Sequence, residues 1–333
     1  MEQVARLANV SVTTVSRVLN NPLTVSKDTR DRVLSVIKSL NYEPNFLGRS
    51  LRKTQTNVVL VLVHDVDNPF FSDIIKGVEN VANVYDYSVI MANNHGSKEI
   101  GNRYFNMLRN HLIDGIILLS SELEAAELDK LADEYPLVQL VEFIEDSKAC
   151  AIYIDYGQAT RELMEVFIAD GRKKIAFINT NICPIISTKI KHQAYLACLQ
   201  KHGLEVLTPE PHPLIEFGYE SSYQITQDIL KSHPDVDAIF CCSDLIAAGA
   251  IAACQQAGRI VPTDVAISGF DNLYYSEINN PTITTVSHDT VNLGLVAMEF
   301  IIKMINHQEI ETNRHILPHE IIYRQSMLPT TDK

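Results

Sequence analysis

Four polar side chains near the start of the chain lie on one side of a short predicted helix. Thr13, Arg17 and Asn20 recur at helical spacing, with Ser16 beside them. An arginine can donate two hydrogen bonds to guanine in the major groove of DNA, and an asparagine can pair with adenine. The chemistry that this face offers is the recognition of bases. A second interpretation stays open at this point, because any short helical hairpin has a polar side.

An apolar framework has to position that face. Apolar residues repeat at helical spacing over residues 4–8, and the break at residues 9–11 gives a short turn in which Ser11 can cap the second helix. A third helical segment, residues 25–40, begins with Ser26 as a cap. These spacings predict three helices in helix-turn-helix order around a small core. The predicted inner side consists of Val15, Val18 and Leu19 of the second helix and Val33, Val36, Ile37 and Leu40 of the third.

The charge is divided unevenly along the chain. The 333 residues carry a formal net charge of −13, which by itself argues against a nucleic-acid partner. Residues 1–57, however, hold nine basic and four acidic side chains, a net charge of +5, so the remainder carries −18. A basic head on an acidic body indicates that the head, and not the body, meets phosphate.

From residue 57 onward, apolar strands alternate with helices. The continuous apolar run 58–63 is typical of a parallel strand that is buried on both faces. The order of strands and helices predicts two doubly wound α/β subdomains behind the small all-α head. The further predicted strands are 88–92, 115–119, 137–141, 152–154, 174–178, 238–242 and 265–268, and the predicted helices include 71–85, 100–110 and 291–305. The chain runs through residues 284–287 into the last of these helices and ends in the segments 316–317 and 320–323.

Polar residues recur where the predicted strands end. Ligands of open α/β sheets bind beyond the carboxyl ends of the strands, so two facing sheets would line one cleft with these groups. Any single one of them could equally be a helix cap or a turn former. As a set they predict a site large enough for a sugar or a nucleoside. The set consists of Asp65, Asn93, Ser120, Glu142, Asp155, Asn179, Ser243, Asp244 and Asp271.

Motifs of nucleotide cofactors and of hydrolases are missing. No G-x-G-x-x-G, G-x-x-x-x-G-K-[ST] or G-x-S-x-G accompanies a predicted strand, so neither a cofactor nor catalysis is expected. The histidines show no metal-ligand spacing and are interpreted as solvated or loop residues, namely His192, His202, His212, His233, His288, His307, His315 and His319. No metal site is expected.

The cysteines and the lack of an apolar signal core predict a cytoplasmic protein. The six cysteines form no C-x-x-C pair, which is typical of reduced interior residues. No apolar run is long enough to span a bilayer, so no membrane partner is expected. The cysteines are Cys150, Cys183, Cys198, Cys241, Cys242 and Cys254.

A series of ordered motifs runs along nearly the whole chain. They are A-x-x-A-x-V-S-x-x-T-V-S-R-V-L-N, V-S-x-x-T-R-x-R-V, L-N-Y-x-P-N, G-R-S-L-R, D-N-P-F-F-S-D-I-I-K-G-V-E, S-D-L-I-A-A-G-A-I, V-P-T-D-V-A-I-S-G-F-D-N and P-T-I-T-T-V. In this order they resemble the lac repressor and galactose repressor family of bacterial transcription regulators. Within that family, I-S-G-F-D-N and the C-C-S-D segment look most like the cytidine-responsive repressors of enteric bacteria. Members usually have a Thr cap and one or two more residues before the first helix, so either an upstream start or a frayed first helix is expected at Met1.

The resemblance implies a DNA-binding surface and an effector site, with a body whose fold is like that of periplasmic binding proteins. Thr13 and Arg17 would read bases, with Val12 at the rim of the groove, and Leu51 would wedge between base pairs at the operator centre. The implied DNA-binding residues are Ser11, Val12, Thr13, Thr14, Ser16, Arg17, Asn20, Asn45, Arg49, Leu51 and Arg52. The implied effector residues are Phe71, Lys191, Phe217, Ser243, Asp244 and Asp271.

The implied organisation has three parts. Residues 1–44 form the DNA-binding domain, 45–56 a hinge helix, and 57–333 the effector-binding and dimerisation domain. The latter comprises an N-subdomain, about 57–156 plus 287–316, and a C-subdomain, about 157–286 plus 317–329. A homodimer or a tetramer is implied, and it would bury the apolar sides of helices near 74–84 and 246–257.

The sequence thus favours a ligand-responsive regulator, most simply a repressor, that binds a near-palindromic operator. Its effector would be a nucleoside, a nucleobase or a sugar, and a nucleoside is preferred. Lys191 stands where relatives commonly carry arginine. A lysine ammonium group is a single charged centre and cannot make the two parallel hydrogen bonds of an arginine guanidinium group. The competing hypotheses are a solute-binding protein and a doubly wound enzyme acting on sugars or nucleosides.

Overall fold

The structure, a computed structural model, describes residues 1–40, 42, 55–66, 68–179, 186–207 and 218–327. The chain divides into two compact units, Met1–Thr56 and Asn57–Lys333. No helix among the described residues is long and apolar enough to cross a membrane.

The first unit has the predicted three helices, α1 (Glu2–Leu7), α2 (Val12–Asn20) and α3 (Lys27–Ser39). Ser11 caps α2, since its hydroxyl accepts a 3.1 Å hydrogen bond from the backbone N–H of Thr14. Ser26 precedes α3, but its hydroxyl donates to the hydroxyl of Thr29 at 3.0 Å and bonds no backbone N–H. The predicted apolar framework is confirmed, because the buried core consists of Val4, Ala5, Ala8, Val15, Val18 and Val33.

The second unit alternates strands and helices. Its helices are α4 (Phe70–Val84), α5 (Lys98–Arg109), α6 (Ala125–Glu134), α7 (Tyr156–Ala169), α8 (Ile186–His202), α9 (Tyr219–Ser232), α10 (Asp244–Gln256), α11 (Tyr274–Ile278) and α12 (Thr290–Ile305). Its strands are β1 (Val58–Val63), β2 (Ser88–Asn93), β3 (Gly115–Leu118), β4 (Leu137–Leu140), β5 (Ala151–Ile154), β6 (Ile175–Ile178), β7 (Ala238–Cys241), β8 (Ala266–Ser268), β9 (Thr285–Ser287), β10 (Arg314–Leu317) and β11 (Glu320–Ile322).

The strands form two main parallel sheets. One has six strands in the order β10-β5-β4-β3-β1-β2, and the other has the order β6-β7-β8. The chain leaves the six-stranded sheet after β5, returns through α12 to β10, and departs again to β11, which pairs with β9. The body is therefore the predicted pair of doubly wound subdomains joined by three crossovers.

Helices α4 and α12 pack backbone against backbone on the six-stranded subdomain. A Cβ atom added to Gly77 would lie 2.0 Å from the carbonyl oxygen of Val291, and one added to Gly294 would lie 2.0 Å from that of Ile74. Only glycine leaves room for this approach. The close pair covers Ile74 and Val78, which are fully buried.

The two helices of the predicted dimer surface bury most of their apolar residues inside the protomer. The apolar side of α4 is already buried against α12, and that of α10 packs on α9, where a Cβ at Gly249 would meet the Ser222 hydroxyl at 2.0 Å. Ile246, Ala250 and Cys254 of α10 lie in the protomer core. These buried residues stabilise the subdomains themselves, whereas Val84 at the end of α4 is exposed, and the dimer surface stays a prediction.

Candidate functional site

The polar side of α2 is open to solvent. Val12, Thr13 and Arg17 are exposed, and Thr14 and Ser16 are half-buried. Ser11 is exposed as well, and its hydroxyl lies 2.9 Å from that of Thr14. Because Val15 and Val18 fix the inner side of the helix in the core, the outer side has a defined orientation that suits insertion into a groove.

Several of the expected site residues fall outside the part of the chain that the structure describes. This holds for the side chain of Asn20 and for Asn45, Arg49, Leu51, Arg52 and Phe217. Their proposed roles rest on the sequence.

The turn after β4 directs a carboxylate out of the first sheet. Val141 has a φ of 71°, which a β-branched residue rarely adopts, and the N–H of Glu142 donates to the carbonyl of Leu140 at 2.8 Å. The hydroxyl of Tyr156 stabilises this turn by donating to the carbonyl of Val141 at 3.1 Å. Such strain is found where the surrounding structure enforces it, often at functional sites.

That carboxylate crosses to the second subdomain. Glu142 accepts hydrogen bonds from the backbone N–H of Ser187, at 3.1 Å, and from the Ser187 hydroxyl. Ser187 belongs to the first turn of α8, so Glu142 satisfies an otherwise unpaired N–H of that helix from another subdomain. Burial raises the pKa of Glu142, and the bonds from Ser187 and the charge of Lys191 oppose that rise.

Lys191, one α-helical turn beyond Ser187, is buried in the cleft. Its ammonium group donates to the carbonyl oxygen of Cys242 at 3.2 Å. It also lies 3.7 Å from the ring centre of Phe270 and 5.4 Å from that of Tyr156, which are cation–π distances. The ammonium group of Lys191 therefore already has partners within the protein.

Asp271 follows β8 in a strained loop. Its φ is 93°, in the left-handed region, and the loop is held by Asp244, which accepts a 2.6 Å hydrogen bond from the N–H of Leu273. Arg324 adds a 2.9 Å bond to the side chain of Asn272. Burial raises the pKa of Asp271 to about 6, although the charge of Lys191 lowers it.

Ser243 and Asp244 have structural partners at the start of α10. The Ser243 hydroxyl accepts from the N–H of Leu245 at 3.3 Å and caps the helix. Asp244 is fully buried, and a Cβ at Gly269 would lie 2.1 Å from its Oδ1. Both residues stabilise the loops that follow the strands, while Oδ1 of Asp244 is buried without a hydrogen-bond partner among the described residues. Their roles as effector residues stay predictions.

His288 contradicts the expectation that the histidines are solvated. It follows β9, is 3 % exposed, and lies between the rings of Phe70 and Phe270, at centroid distances of 5.5 and 6.1 Å. Burial lowers its pKa to about 3, and the charge of Lys191 lowers it further. The candidate site residues in the sequence are polar residues that directly follow a strand. The same criterion selects His288 once residues 285–287 are recognised as a strand.

Two cavities bear on where a ligand binds. The larger, of about 570 Å³, is a groove between α7, α8 and the segment 321–323, and it contains none of the strand-end groups. The smaller, of about 80 Å³, is lined by His64, Ser120 and Glu142 at the ends of the first sheet's strands. Buried polar atoms that lack a partner within the described part of the chain concentrate at the strand ends, among them Asn179 Oδ1, His64 Nδ1 and Ser120 Oγ. We therefore assign the candidate effector site to the cleft and not to the larger groove.

Phe71 also borders the cleft. It is buried, and its ring makes edge contacts with His64 and Phe70, each at 5.7 Å between centroids. The cleft thus combines aromatic surfaces with carboxylates, an ammonium group and an imidazole. Within the described residues no group of three acidic, histidine or cysteine side chains is arranged to hold a metal ion. The arrangement suits reversible binding of a polar ring.

Comparison with known proteins places both units in one family. Residues 1–45 match "Bacterial regulatory proteins, lacI family", and residues 56–325 match "Periplasmic binding proteins and sugar binding domain of LacI family". The chain is 34 % identical over 330 residues to the HTH-type transcriptional regulator RegA of Clostridium saccharobutylicum, covering 98 % of this chain and 99 % of that protein. It is 29 % identical to the HTH-type transcriptional repressor CytR of Escherichia coli K12, covering 98 % and 95 %. The resemblance to CytR is thus one of several within the family.

A solved structure has the same fold. The lac repressor dimer bound to operator and the anti-inducer ONPF aligns with a TM-score of 0.87 and 22 % identity over 98 % of both chains. The chain therefore belongs to the LacI family of bacterial regulatory proteins, and it is a ligand-responsive, DNA-binding transcription regulator rather than an enzyme.

Proposed function

We propose that a small effector binds in the cleft between the two sheets and changes the affinity of the protein for its operator. The observation that carries this proposal is the convergence of buried polar groups from both subdomains. Glu142 comes from the six-stranded side, whereas Lys191 and Asp271 come from the three-stranded side. A ligand that contacts both sets would favour one relative arrangement of the subdomains.

The effector is a nucleoside or a sugar, with the nucleoside preferred. Asp271 can accept from hydroxyls, and the rings of Phe71 and Phe270 offer apolar faces to a flat or hydroxylated ring. Since Lys191 is occupied by a carbonyl oxygen and a ring face, it does not supply the bidentate recognition of an arginine. The effector must therefore be recognised chiefly by hydroxyl-accepting groups.

Binding requires the subdomains to separate. The cavity at the strand ends measures about 80 Å³, whereas pockets for drug-sized ligands typically measure about 300–1,000 Å³. The bonds between Glu142 and Ser187 close the same region. An effector therefore enters an opened cleft, and its contacts determine how far the cleft closes again.

The protein acts as a repressor on a near-palindromic operator, which it binds as a homodimer. Arg17 and Thr13 read bases in each half-site, and hinge residues Arg49 and Arg52 contact phosphates while Leu51 wedges between base pairs. These hinge roles rest on the G-R-S-L-R motif. An effector that rotates the subdomains would change the spacing of two paired hinges and thereby the operator affinity.

Exposed apolar side chains provide the surface for pairing. Ile90 and Met91 on the edge strand β2 are 43 % and 46 % exposed, and Val84 and Tyr85 at the end of α4 are also exposed. An edge strand with exposed apolar residues is a ready site for association with another chain. We assign the dimer contact to this region.

Fluorescence anisotropy of labelled DNA from upstream of the protein's own gene tests the function. Titrations of the full-length protein are run at fixed salt, without ligand and with saturating nucleosides or sugars that raise its melting temperature. The expected result is specific binding that one ligand shifts by at least about 5-fold. Asp271→Asn serves as the matched control, which binds the same DNA but does not respond. Ligand binding without any change in DNA affinity would contradict the proposal.

A further inference from the structure

His288 has two ring nitrogens and no hydrogen bond for either. Both Nδ1 and Nε2 are buried and lack a partner among the described residues. Leaving buried polar atoms unpaired costs free energy, so they are usually paired with protein, water or ligand. Since burial lowers its pKa to about 3, the imidazole is neutral at pH 7 and carries one donor and one acceptor.

The carboxylate of Asp271 faces this imidazole without bonding to it. Asp271 Oδ1 lies 3.8 Å from His288 Nε2, beyond hydrogen-bond distance. A hydroxyl group placed beside both atoms, about 2.8 Å from each, could donate to the carboxylate and accept from the Nε2–H. An ether oxygen could only accept, and an ammonium group could only donate. Only a group with both capacities completes the pair.

The surrounding charges disfavour an anion at this point. Three of the ionisable groups around the pair, Glu142, Asp244 and Tyr156, are acids, and His319 is a further imidazole. The one ammonium group among them, that of Lys191, already contacts a carbonyl oxygen and an aromatic ring. A phosphate or carboxylate of the ligand would add a negative charge beside buried carboxyl groups. A neutral hydroxyl adds none.

We propose that His288 and Asp271 together recognise one hydroxyl group of a neutral effector, and that His288 makes the site specific for that hydroxyl over a deoxy or anionic substituent. The inference rests on the proposed binding of an effector in the cleft and deepens it. His288 contributes the donor that Asp271 lacks, while the rings of Phe70 and Phe270 fix the orientation of the imidazole.

The experiment uses calorimetry on the full-length protein with a defined set of probes. Cytidine, uridine, adenosine, D-ribose and D-galactose are titrated first. For each probe that binds, analogues that lack one hydroxyl group are titrated next, followed by derivatives in which one hydroxyl group is replaced by a carboxylate. The variants are His288→Leu, which removes both polar atoms, and His288→Gln, which retains a donor and an acceptor. Melting temperature and operator affinity establish that each variant is folded.

The expected result is a coupled loss. In the wild type, one deoxy analogue binds about 10- to 100-fold more weakly than its parent, and the carboxylate at that carbon binds more weakly still. The His288→Leu variant should bind the parent compound more weakly than the wild type by a similar factor, and removal of the same hydroxyl should then have little further effect on its affinity. The His288→Gln variant should restore part of the preference for the parent over the deoxy analogue. A purely structural role of His288 would weaken all analogues equally.

Three outcomes overturn the proposal. If each hydroxyl contributes the same factor in wild type and His288→Leu, the specificity of His288 is refuted while the effector site in the cleft stands. If an anionic derivative binds more tightly than the neutral parent, the assignment of a neutral hydroxyl is refuted. If no probe binds and DNA affinity is unchanged by all of them, both the effector class and this inference are refuted.

Discussion

Glu142 and Ser187 join the two subdomains across the cleft, since the carboxylate of Glu142 accepts from both the backbone N–H and the hydroxyl of Ser187. Hydrogen bonds to a charged acceptor contribute about 1.5–3 kcal/mol each. Because the partners belong to different subdomains, this contribution applies to cleft closure and not to the folding of either sheet.

Ser187→Ala is expected to favour the open cleft. Loss of the hydroxyl should speed amide hydrogen exchange in residues 142–145 and in the first turn of α8, and leave exchange in β6–β8 unchanged. Lys189→Ala is the control, because it removes an exposed 2.8 Å salt bridge between Lys189 and Glu145 in the same region. Exposed pairs contribute about 0–1 kcal/mol, so the control should change little. Equal exchange in Ser187→Ala and wild type would show that the bond does not hold the cleft.

Asp271→Asn is expected to stabilise the body at neutral pH. Burial raises the pKa of Asp271 from 3.8 to about 6, so between these values the native state holds a proton that the unfolded chain has lost. The wild type therefore loses stability as the pH rises from about 4 to about 6, up to about 3 kcal/mol. Asparagine tolerates the left-handed backbone and does not titrate.

Urea unfolding of wild type and Asp271→Asn at pH 4, 5, 6 and 7.5 measures this effect. The difference should grow with pH in favour of the variant, although the variant should lose the response to effector. A variant that is less stable than wild type at pH 7.5 would mean that the carboxylate gains more from its contacts than it loses by burial.

Arg17→Ala is expected to relax operator specificity. A bidentate contact to guanine contributes about 1–3 kcal/mol of discrimination, so one base pair in each half-site should lose its preference. Arg32→Ala removes the same charge from an exposed position on α3 and should weaken binding without changing preference. Selection of bound sequences from a randomised operator distinguishes the two. A uniform loss in Arg17→Ala would make Arg17 a phosphate contact.

Ile90→Lys is expected to weaken dimerisation. In a two-fold symmetric contact each substitution appears twice. Two lysines buried in the interface should therefore raise the dissociation constant of the dimer at least about 10-fold. Ile260→Lys, at another exposed apolar position of the body, is the control. Sedimentation velocity at micromolar concentration measures both. A fully dimeric Ile90→Lys would exclude β2 from the interface.

The sequence by itself determined the elements and their order. Apolar runs located β1 to β8 to within one residue at either end, because strands in the interior of a parallel sheet are largely apolar. Strands β9, β10 and β11 were recognised as strands only in the structure. The cap at Ser11 and the inner side of α2 were also predictable, since both depend on neighbours within a few residues. The family resemblance followed from the same local motifs.

The tertiary structure decided which of the polar residues are held by partners within the protein and which remain open in the cleft. Asp244 and Asp271 both follow strands, yet the carboxylate of Asp244 accepts a hydrogen bond from the N–H of Leu273, whereas that of Asp271 lies 3.8 Å from the Nε2 of His288. His288 resembled any loop histidine until Phe70, some 200 residues earlier in the chain, enclosed it. Burial, pKa and partner choice depend on groups that are distant in sequence, and folding alone brings those groups together.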